Sequence, residues 1–393
     1  MAHALILGAS GISGWSLMNQ ARNYPTPTTF VRITGTTNRP LTLEQARLPP
    51  DSRMLIASGI DFTKSVEEVV VSLHKKIPDV NSVTHVFFTA YIQTNDFASL
   101  RDKNTSLLDV AIRAIEQVAP DLKSVILQTG GKGYGLEFPK EIDIKVPLRE
   151  SHPRIPEPWA SNIFYYTQYD SLKSLSHGKS WTFSEIRPDG IVGFTPTVNA
   201  MNLAQGIGVY LSIYRAVRGA GAPVPFPGHE HGYRSTHTDT FQDLLAKMEI
   251  YAAVNTEMCG DGGVFNIANA SKPVTWQQVW PGLCAHFGLV GEGPAAKAVQ
   301  PIKMETFVKE NKAAWSELAR EHGLDETLVE RIGWGFAHFM VVDFDFDRPY
   351  DLSRAREVGF ADEVDTVESY VLSWERMRAA NQLPPVQGWL SWL

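Results

Sequence analysis

The sequence predicts an α/β protein built on an open, mostly parallel sheet with helices on both faces. Three observations support this class. Short apolar runs alternate with longer amphipathic stretches through the first half of the chain. A glycine-bearing turn, Gly8–Gly14, lies between the first apolar run and the first helix-compatible stretch. The balance of 44% hydrophobic against 20% charged residues over 393 positions is that of a globular chain, long enough for one large domain and a smaller companion.

Taken in order, Ala4–Leu7 reads as a short buried strand, and WSLMNQARN after the turn as a helix. Gly8, Gly11 and Gly14, with Ser10 and Ile12 between them, allow a tight turn and bring a phosphate close to backbone donors at the helix N-terminus. The spacing is GxxGxxG rather than the strict GxGxxG of dinucleotide sites, and close strand–helix packing without a ligand is the plainer alternative. A second strand at 29–34 leads into GTTNRP, where Asn38 and Arg39 stand. No Asp or Glu occurs from Gly35 through Arg39, and Arg39 is available to a 2′-phosphate, so NADP is favoured over NAD. A strand within 54–62 places Asp61 toward an adenine, a helix follows over 66–77, and HVFFTA at 85–90 is another strand with Thr89 near its end.

Residues 105–119 have helical apolar spacing and predict a crossover helix; SVILQTG at 124–130 returns to the sheet. Such a sheet binds ligands beyond the carboxyl ends of its strands, so Thr129, Lys132 and Tyr134 lie where chemistry can occur. Another strand is expected over 180–187. Residues 1–193 then hold most of the nucleotide-binding portion and 194–393 the substrate side, with residues around 235–270 returning to the first. In the second half, 196–219 contains a long amphipathic stretch, Thr238 or Asp239 is placed to cap the helix that follows, and 263–269 reads as a strand. Helices are expected over 305–323 and 369–383, followed by an aromatic tail, PPVQGWLSWL. Trp334, Phe336, Phe339 and Phe346 either line an apolar cavity or simply pack.

The charges exclude some partners. Lys and Arg number 36 against 43 Asp and Glu, a net charge of −7 without a basic block, so no nucleic-acid surface is expected. Two cysteines, Cys259 and Cys284, are too few for a disulfide framework or a cysteine zinc site. No apolar run reaches membrane-spanning length and no signal core opens the chain, so the expectation is a cytoplasmic enzyme without a membrane partner. No metal is expected: His229, Glu230, His231 and His237 do not make HExxH, and Asp343, Asp345 and Asp347 lack the rest of a calcium loop.

The motifs TGGKGY at 129–134, NIFYY at 162–166, RPDGIVGF at 187–194 and the segment Ser353–Phe360, followed by an aromatic helix, stand together with Gly8–Gly14, Asp61 and Phe88–Tyr91. In combination they resemble the extended short-chain dehydrogenase/reductase superfamily, and within it the progesterone 5β-reductase/iridoid synthase-like branch. The resemblance spans nearly the whole chain. It implies a Rossmann-like doubly wound sheet with an interleaved C-terminal substrate-binding region, and NADPH-dependent reduction of an alkene conjugated to a carbonyl. It also implies that Tyr166 is the catalytic tyrosine of the double-tyrosine motif and Lys132 the catalytic lysine. The ordinary YxxxK signature is absent, since the fourth residue after Tyr166 is Asp170, which argues against a routine alcohol dehydrogenase. The branch usually carries a more basic pair at the cofactor-selecting turn; Asn38–Arg39 keeps one cation, which preserves the NADPH expectation and leaves NADH use compatible.

The expected chemistry has its own logic. Hydride delivered to an electron-poor β-carbon leaves negative charge on an enolate oxygen, which a tyrosine hydroxyl and a lysine ammonium can stabilise. Tyr165 competes with Tyr166 because the two are adjacent; either could be a packed aromatic, Lys132 a surface cation, and Thr129 either a cofactor contact or a loop hydrogen bond. The expected substrate is a small hydrophobic carbonyl compound, terpenoid, steroid-like or another secondary metabolite. Ketone or aldehyde reduction, a redox-neutral cyclisation or isomerisation, and a cofactor-bound sensor are alternatives on the same fold, and both a monomer and a homodimer fit.

Overall fold

The first strand, β1 (Ala2–Leu7), is buried over almost its whole length and feeds the glycine turn into helix α1 (Ile12–Gln20). The chain then alternates through β2 (Phe30–Thr37), β3 (Met54–Ser58), α2 (Val66–Lys76), β4 (His85–Phe88), α3 (Phe97–Val118), β5 (Ser124–Gln128), α4 (Phe164–Ser176) and β6 (Thr182–Pro188), and later adds α5 (Gln242–Val254) and β7 (Gly263–Ile267). The computed structural model describes residues 2–295 and 303–385. The seven strands form one all-parallel sheet in the order β7-β6-β5-β4-β1-β2-β3. The order reverses between β1 and β4, which is the position where doubly wound sheets open a crevice for ligands.

Register explains the core. Leu5, Val86, Val125 and Phe183 are aligned across four strands, and Leu7, Phe88 and Leu127 form the next row on the same face. These rows pack with Val69 and Leu73 of α2, Leu108, Ile112 and Ile115 of α3, and Leu172 of α4 in one hydrophobic cluster. Helix α1 packs against β1 and β2, and α5 against β5, β6 and β7. The helix ends follow local rules: Ser65 and Glu68 form a reciprocal capping box on α2, which ends in His74, Lys75 and Lys76. Helix α3 starts well before residue 105 because the Asp96 carboxylate accepts the Ser99 N–H at 2.7 Å and fixes an earlier N-terminus.

Two compact units are formed, one of Met1–Asp189, Gln242–Ala268 and Tyr350–Asp362, the other of Gly190–Phe241, Asn269–Pro349 and Glu363–Leu393. The second unit is largely helical. Its long helix Leu203–Arg218 is capped by Asn202, and Thr366–Ala379 by Asp365. Trp374 of the latter donates its indole N–H to the Ala204 carbonyl at 2.7 Å. The expected cap at Thr238 or Asp239 does not form: Asp239–Phe241 pairs in parallel with Gly190–Val192 and stays extended until the helix begins at Gln242. The stretch 305–323 is two helices, Met304–Glu310 and Lys312–His322, interrupted at Asn311. The aromatic tail lies outside the described residues from Val386 onward. No helix among the described residues is long and apolar enough to cross a membrane.

One buried group is out of keeping with its surroundings. Glu249 of α5 is fully buried, and neither carboxylate oxygen has a hydrogen-bond partner among the described residues. Burial therefore drives its pKa well above the ordinary carboxyl value. A raised folded-state pKa makes this contribution favourable at acid pH and progressively lost as pH climbs from the ordinary carboxyl range toward the raised value. Denaturant titrations from pH 5 upward should show the parent losing stability relative to Glu249→Gln by about 1.4 kcal/mol per pH unit while the group titrates. Parallel pH profiles for the two proteins would show that Glu249 is not desolvated.

Candidate active site

The carboxyl ends of β1 to β4 meet the residues expected to hold a dinucleotide. Gly8 adopts a positive φ of 96°, and a Cβ there would fall 3.0 Å from the Thr89 carbonyl. At Gly14 the approach is closer still, since an added Cβ would lie 2.2 Å from the Gly8 carbonyl. Gly8 therefore lets the turn approach the backbone past β4, and Gly14 lets α1 press against the turn. Gly11 is the N-cap of α1, Ser10 is exposed, and the first turn has neither a capping side chain nor an acidic residue, which leaves it compatible with a pyrophosphate. Ile12 is buried in that turn. Thr89 donates both its N–H and its hydroxyl to the Leu7 carbonyl, at 3.1 and 2.8 Å, and so closes β4 onto β1 at the switch point.

Asn38 and Arg39 are exposed just past β2, where the Thr37 hydroxyl donates to the Arg39 carbonyl at 2.7 Å. Past β3, Asp61 accepts from the hydroxyl and N–H of Thr63 at 2.7 and 3.0 Å, which holds its carboxyl below the ordinary range. The cradle thus offers backbone donors, a carboxylate and an exposed guanidinium along one edge of the sheet. These groups fit a dinucleotide, whose pyrophosphate would meet the backbone donors at the start of α1.

Beyond β5 and β6 lies a polar cluster. Thr129 donates its N–H to Ile186 (2.9 Å) and its hydroxyl to Glu185 (2.6 Å), so its side chain is committed inside the protein. Glu185 is 2% exposed and also accepts two hydrogen bonds from Arg187, at 2.9 and 3.0 Å. The Arg187 guanidinium lies 5.2 Å from the ring centre of Tyr134, whose hydroxyl donates to the Asn266 side chain at 2.6 Å. Burial pushes the Tyr134 hydroxyl up to about 12. Asn266, on β7, in turn donates its N–H to Glu150 at 2.7 Å and its side-chain amide to the Leu148 carbonyl at 2.9 Å.

Lys132 sits in a short 3₁₀ turn, Gly131–Tyr134, and donates to Glu137 at 2.8 Å. The two expected tyrosines diverge. Tyr166 is buried, and its hydroxyl donates to the Gly133 carbonyl (2.6 Å) while accepting the Ile155 N–H (3.1 Å). Tyr165 is half-buried, and its hydroxyl makes no hydrogen bond among the described residues. That hydroxyl points at the end of β5, 3.6 Å from where a Cβ on Gly130 would stand. Burial first, and then the charges of Glu137, Tyr91 and Glu185, raise its pKa. Tyr165, Lys132 and Glu137 therefore lie at one strand end, where the Thr129 and Tyr166 hydroxyls are engaged by Glu185 and by the Gly133 carbonyl.

Glu137, Glu185, Arg187 and Asn266 were not singled out by sequence reasoning. A charged pair two residues apart within the strand expected over 180–187 was the available signal for Glu185 and Arg187. Of the aromatics expected at a cavity, Trp334 lines one of about 150 Å³ in the second unit, together with Met304, His338 and Val342. Phe336, Phe339 and Phe346 are half-buried.

Comparison with known proteins agrees with this layout. A family model described as a PRISE-like Rossmann-fold domain matches residues 4–384. The chain is 35% identical over 389 residues to "Short chain dehydrogenase ausT" of Aspergillus calidoustus, covering 97% of this chain and 94% of that protein. It is 28% identical to the 3-oxo-Delta(4,5)-steroid 5-beta-reductase of Arabidopsis thaliana, covering 97% and 93%. Among solved structures, the Bordetella bronchiseptica enzyme WbmG in complex with NAD shares the fold, with a TM-score of 0.58 at 12% identity over 97% of this chain and 95% of that one. With the glycine turn, the all-parallel sheet and the tyrosine–lysine strand end in place, the chain belongs to the PRISE-like Rossmann-fold family and is an oxidoreductase of the extended short-chain dehydrogenase/reductase type.

Proposed function

We propose that the protein reduces the alkene of an α,β-unsaturated carbonyl compound, using NADPH. The observation that supports this best is the unbonded Tyr165 hydroxyl at the end of β5, in the same cluster as the Lys132–Glu137 pair. The Arabidopsis relative supports the substrate class, since a 3-oxo-Δ4,5-steroid is a conjugated enone. Bound NADPH would supply the hydride, and one proton from solvent completes the balance as enone, NADPH and H⁺ become saturated carbonyl and NADP⁺.

The chain's own groups then do three things. Tyr165 donates a hydrogen bond to the carbonyl oxygen as it gains enolate character; a hydroxyl with its pKa raised by burial and nearby acids stays protonated and remains a donor. Lys132 contributes positive charge at the same end of the strand. Tyr166 takes the structural part, fastening Gly133 and Ile155 to α4. Tyr165 thus carries the role that the family resemblance assigned to Tyr166. The Arabidopsis relative supports a steroid-like, hydrophobic carbonyl substrate, with a terpenoid as the alternative of the same character.

Anaerobic turnover of NADPH against a panel of cyclic and acyclic enones, with products identified by mass spectrometry and NMR, should give a two-hydrogen mass gain with loss of the alkene and retention of the carbonyl. An alcohol product would replace this reading with carbonyl reduction, and binding without turnover would replace it with a sensor. Tyr165→Phe should lower kcat/KM by about 10²- to 10³-fold, the range seen when one donor to a developing oxyanion is removed. Tyr166→Phe should stay within about fivefold in kcat/KM and lose about 1–2 kcal/mol of stability; the reverse pattern would return the catalytic role to Tyr166. Arg39→Ala should weaken NADPH binding by about tenfold with little change for NADH; equal losses for both cofactors would remove Arg39 from 2′-phosphate recognition.

A further inference from the structure

Lys132 has a partner that the reaction outlined above does not use. Its ammonium donates to Glu137 Oε1 at 2.8 Å, and both side chains are partly withdrawn from water, 28% and 21% exposed. The 3₁₀ turn Gly131–Tyr134 followed by Gly135, with φ 79°, folds the chain back so that residues five apart can meet. The Glu137 carboxylate also bears on the aromatic hydroxyls of the cluster: after burial, it is the leading cause that raises the pKa of Tyr165 and of Tyr91. The other acid near Tyr165, Glu185, is already held by Arg187 and Thr129. An uncompensated carboxylate here would oppose negative charge developing on a substrate oxygen, so its pairing with Lys132 has a consequence for the chemistry.

We propose that Glu137 is a positioning residue: its carboxylate, whose charge also bears on Tyr165, holds the Lys132 ammonium past the end of β5, so that the cation is already in place when the carbonyl oxygen becomes an enolate. The effect on turnover rests on the enone reading; the hold on Lys132 does not. A long, flexible ammonium side chain loses rotamer freedom when it is fixed, and fixing it before the substrate arrives spares the reaction that cost.

The two parts can be read separately. Trace acylation of the folded protein with acetic anhydride, followed by peptide mass spectrometry, reports each lysine without substrate or cofactor. Lys132 should label about tenfold faster in Glu137→Gln than in the parent, as expected when a charge-assisted hydrogen bond to the ammonium is removed, and Glu137→Asp should fall between the two. Lys76, whose ammonium donates to the Ser58 and Gly59 carbonyls, should label alike in all three and so report an unchanged fold. In the enone assay Glu137→Gln should lower kcat about tenfold with KM changed less than about twofold, and Glu137→Asp should recover part of the loss. Unchanged Lys132 labelling in both variants would overturn the proposal, as would faster labelling with parental kcat. Faster labelling in a protein whose parent form reduces no enone would leave the hold on Lys132 standing and overturn the enone reading instead.

Discussion

The buried ion pair of Glu185 and Arg187 on β6 is the constraint to which the polar end of the sheet is fastened. Taking two charges out of water costs several kcal/mol per ion, recovered only when geometry and additional hydrogen bonds are good. Here the guanidinium meets the carboxylate through two nitrogen–oxygen contacts, and the carboxylate takes a third hydrogen bond from Thr129. The requirement to satisfy Glu185 therefore ties the end of β5 to β6. Through the face of Tyr134 and the hydrogen bond from Tyr134 to Asn266, it extends to β7. The turn bearing Lys132 lies between these anchored points, with Thr129 on one side and Tyr134 on the other.

Within that frame the two neighbouring tyrosine hydroxyls are given different surroundings by geometry alone. Consecutive helical residues project about 100° apart, so a helix start that turns one hydroxyl into the loop must turn the next away from it. Tyr166 meets the Gly133 carbonyl and the Ile155 N–H, both fixed elements of backbone, and Tyr165 is left beside Gly130. Glycine at 130 leaves open the space next to that hydroxyl. The same economy operates at the switch point, where Thr89 closes β4 onto β1 and the glycines allow α1 to approach.

The sheet was legible because buried parallel strands read as short apolar runs and their crossover helices as 3.6-residue patterns, signals that survive without tertiary context. Helix ends were less so: Asp96 sets the start of α3 through a cap that the apolar pattern does not encode, and Asn311 divides a stretch whose periodicity runs on across it. The cap expected at Thr238 or Asp239 was lost to strand pairing with Gly190–Val192, a contact distant in sequence. At the site, Gly8, Gly14 and Lys132 were readable from their place after a strand. The choice between Tyr165 and Tyr166 depends on the rotation of α4 about its axis, which the strand-end loop determines. Glu137 and Glu185 acquire their meaning only from residues brought to them by folding.

The first compact unit is assembled from three separate stretches of chain, the last being Tyr350–Asp362. That stretch supplies the Asp351 carbonyl to the Asn266 amide and the Tyr350 hydroxyl to the Pro188 carbonyl. During synthesis, β1 to β6 leave the ribosome long before these partners exist, so the edge formed by β6 waits for β7 and the polar groups of the strand end wait longer still. A nascent chain halted short of residue 350 would hold a sheet with its reaction end unfinished. Completion of this strand end is thereby coupled to arrival of a segment, Tyr350–Asp362, that lies far beyond β7 in the sequence.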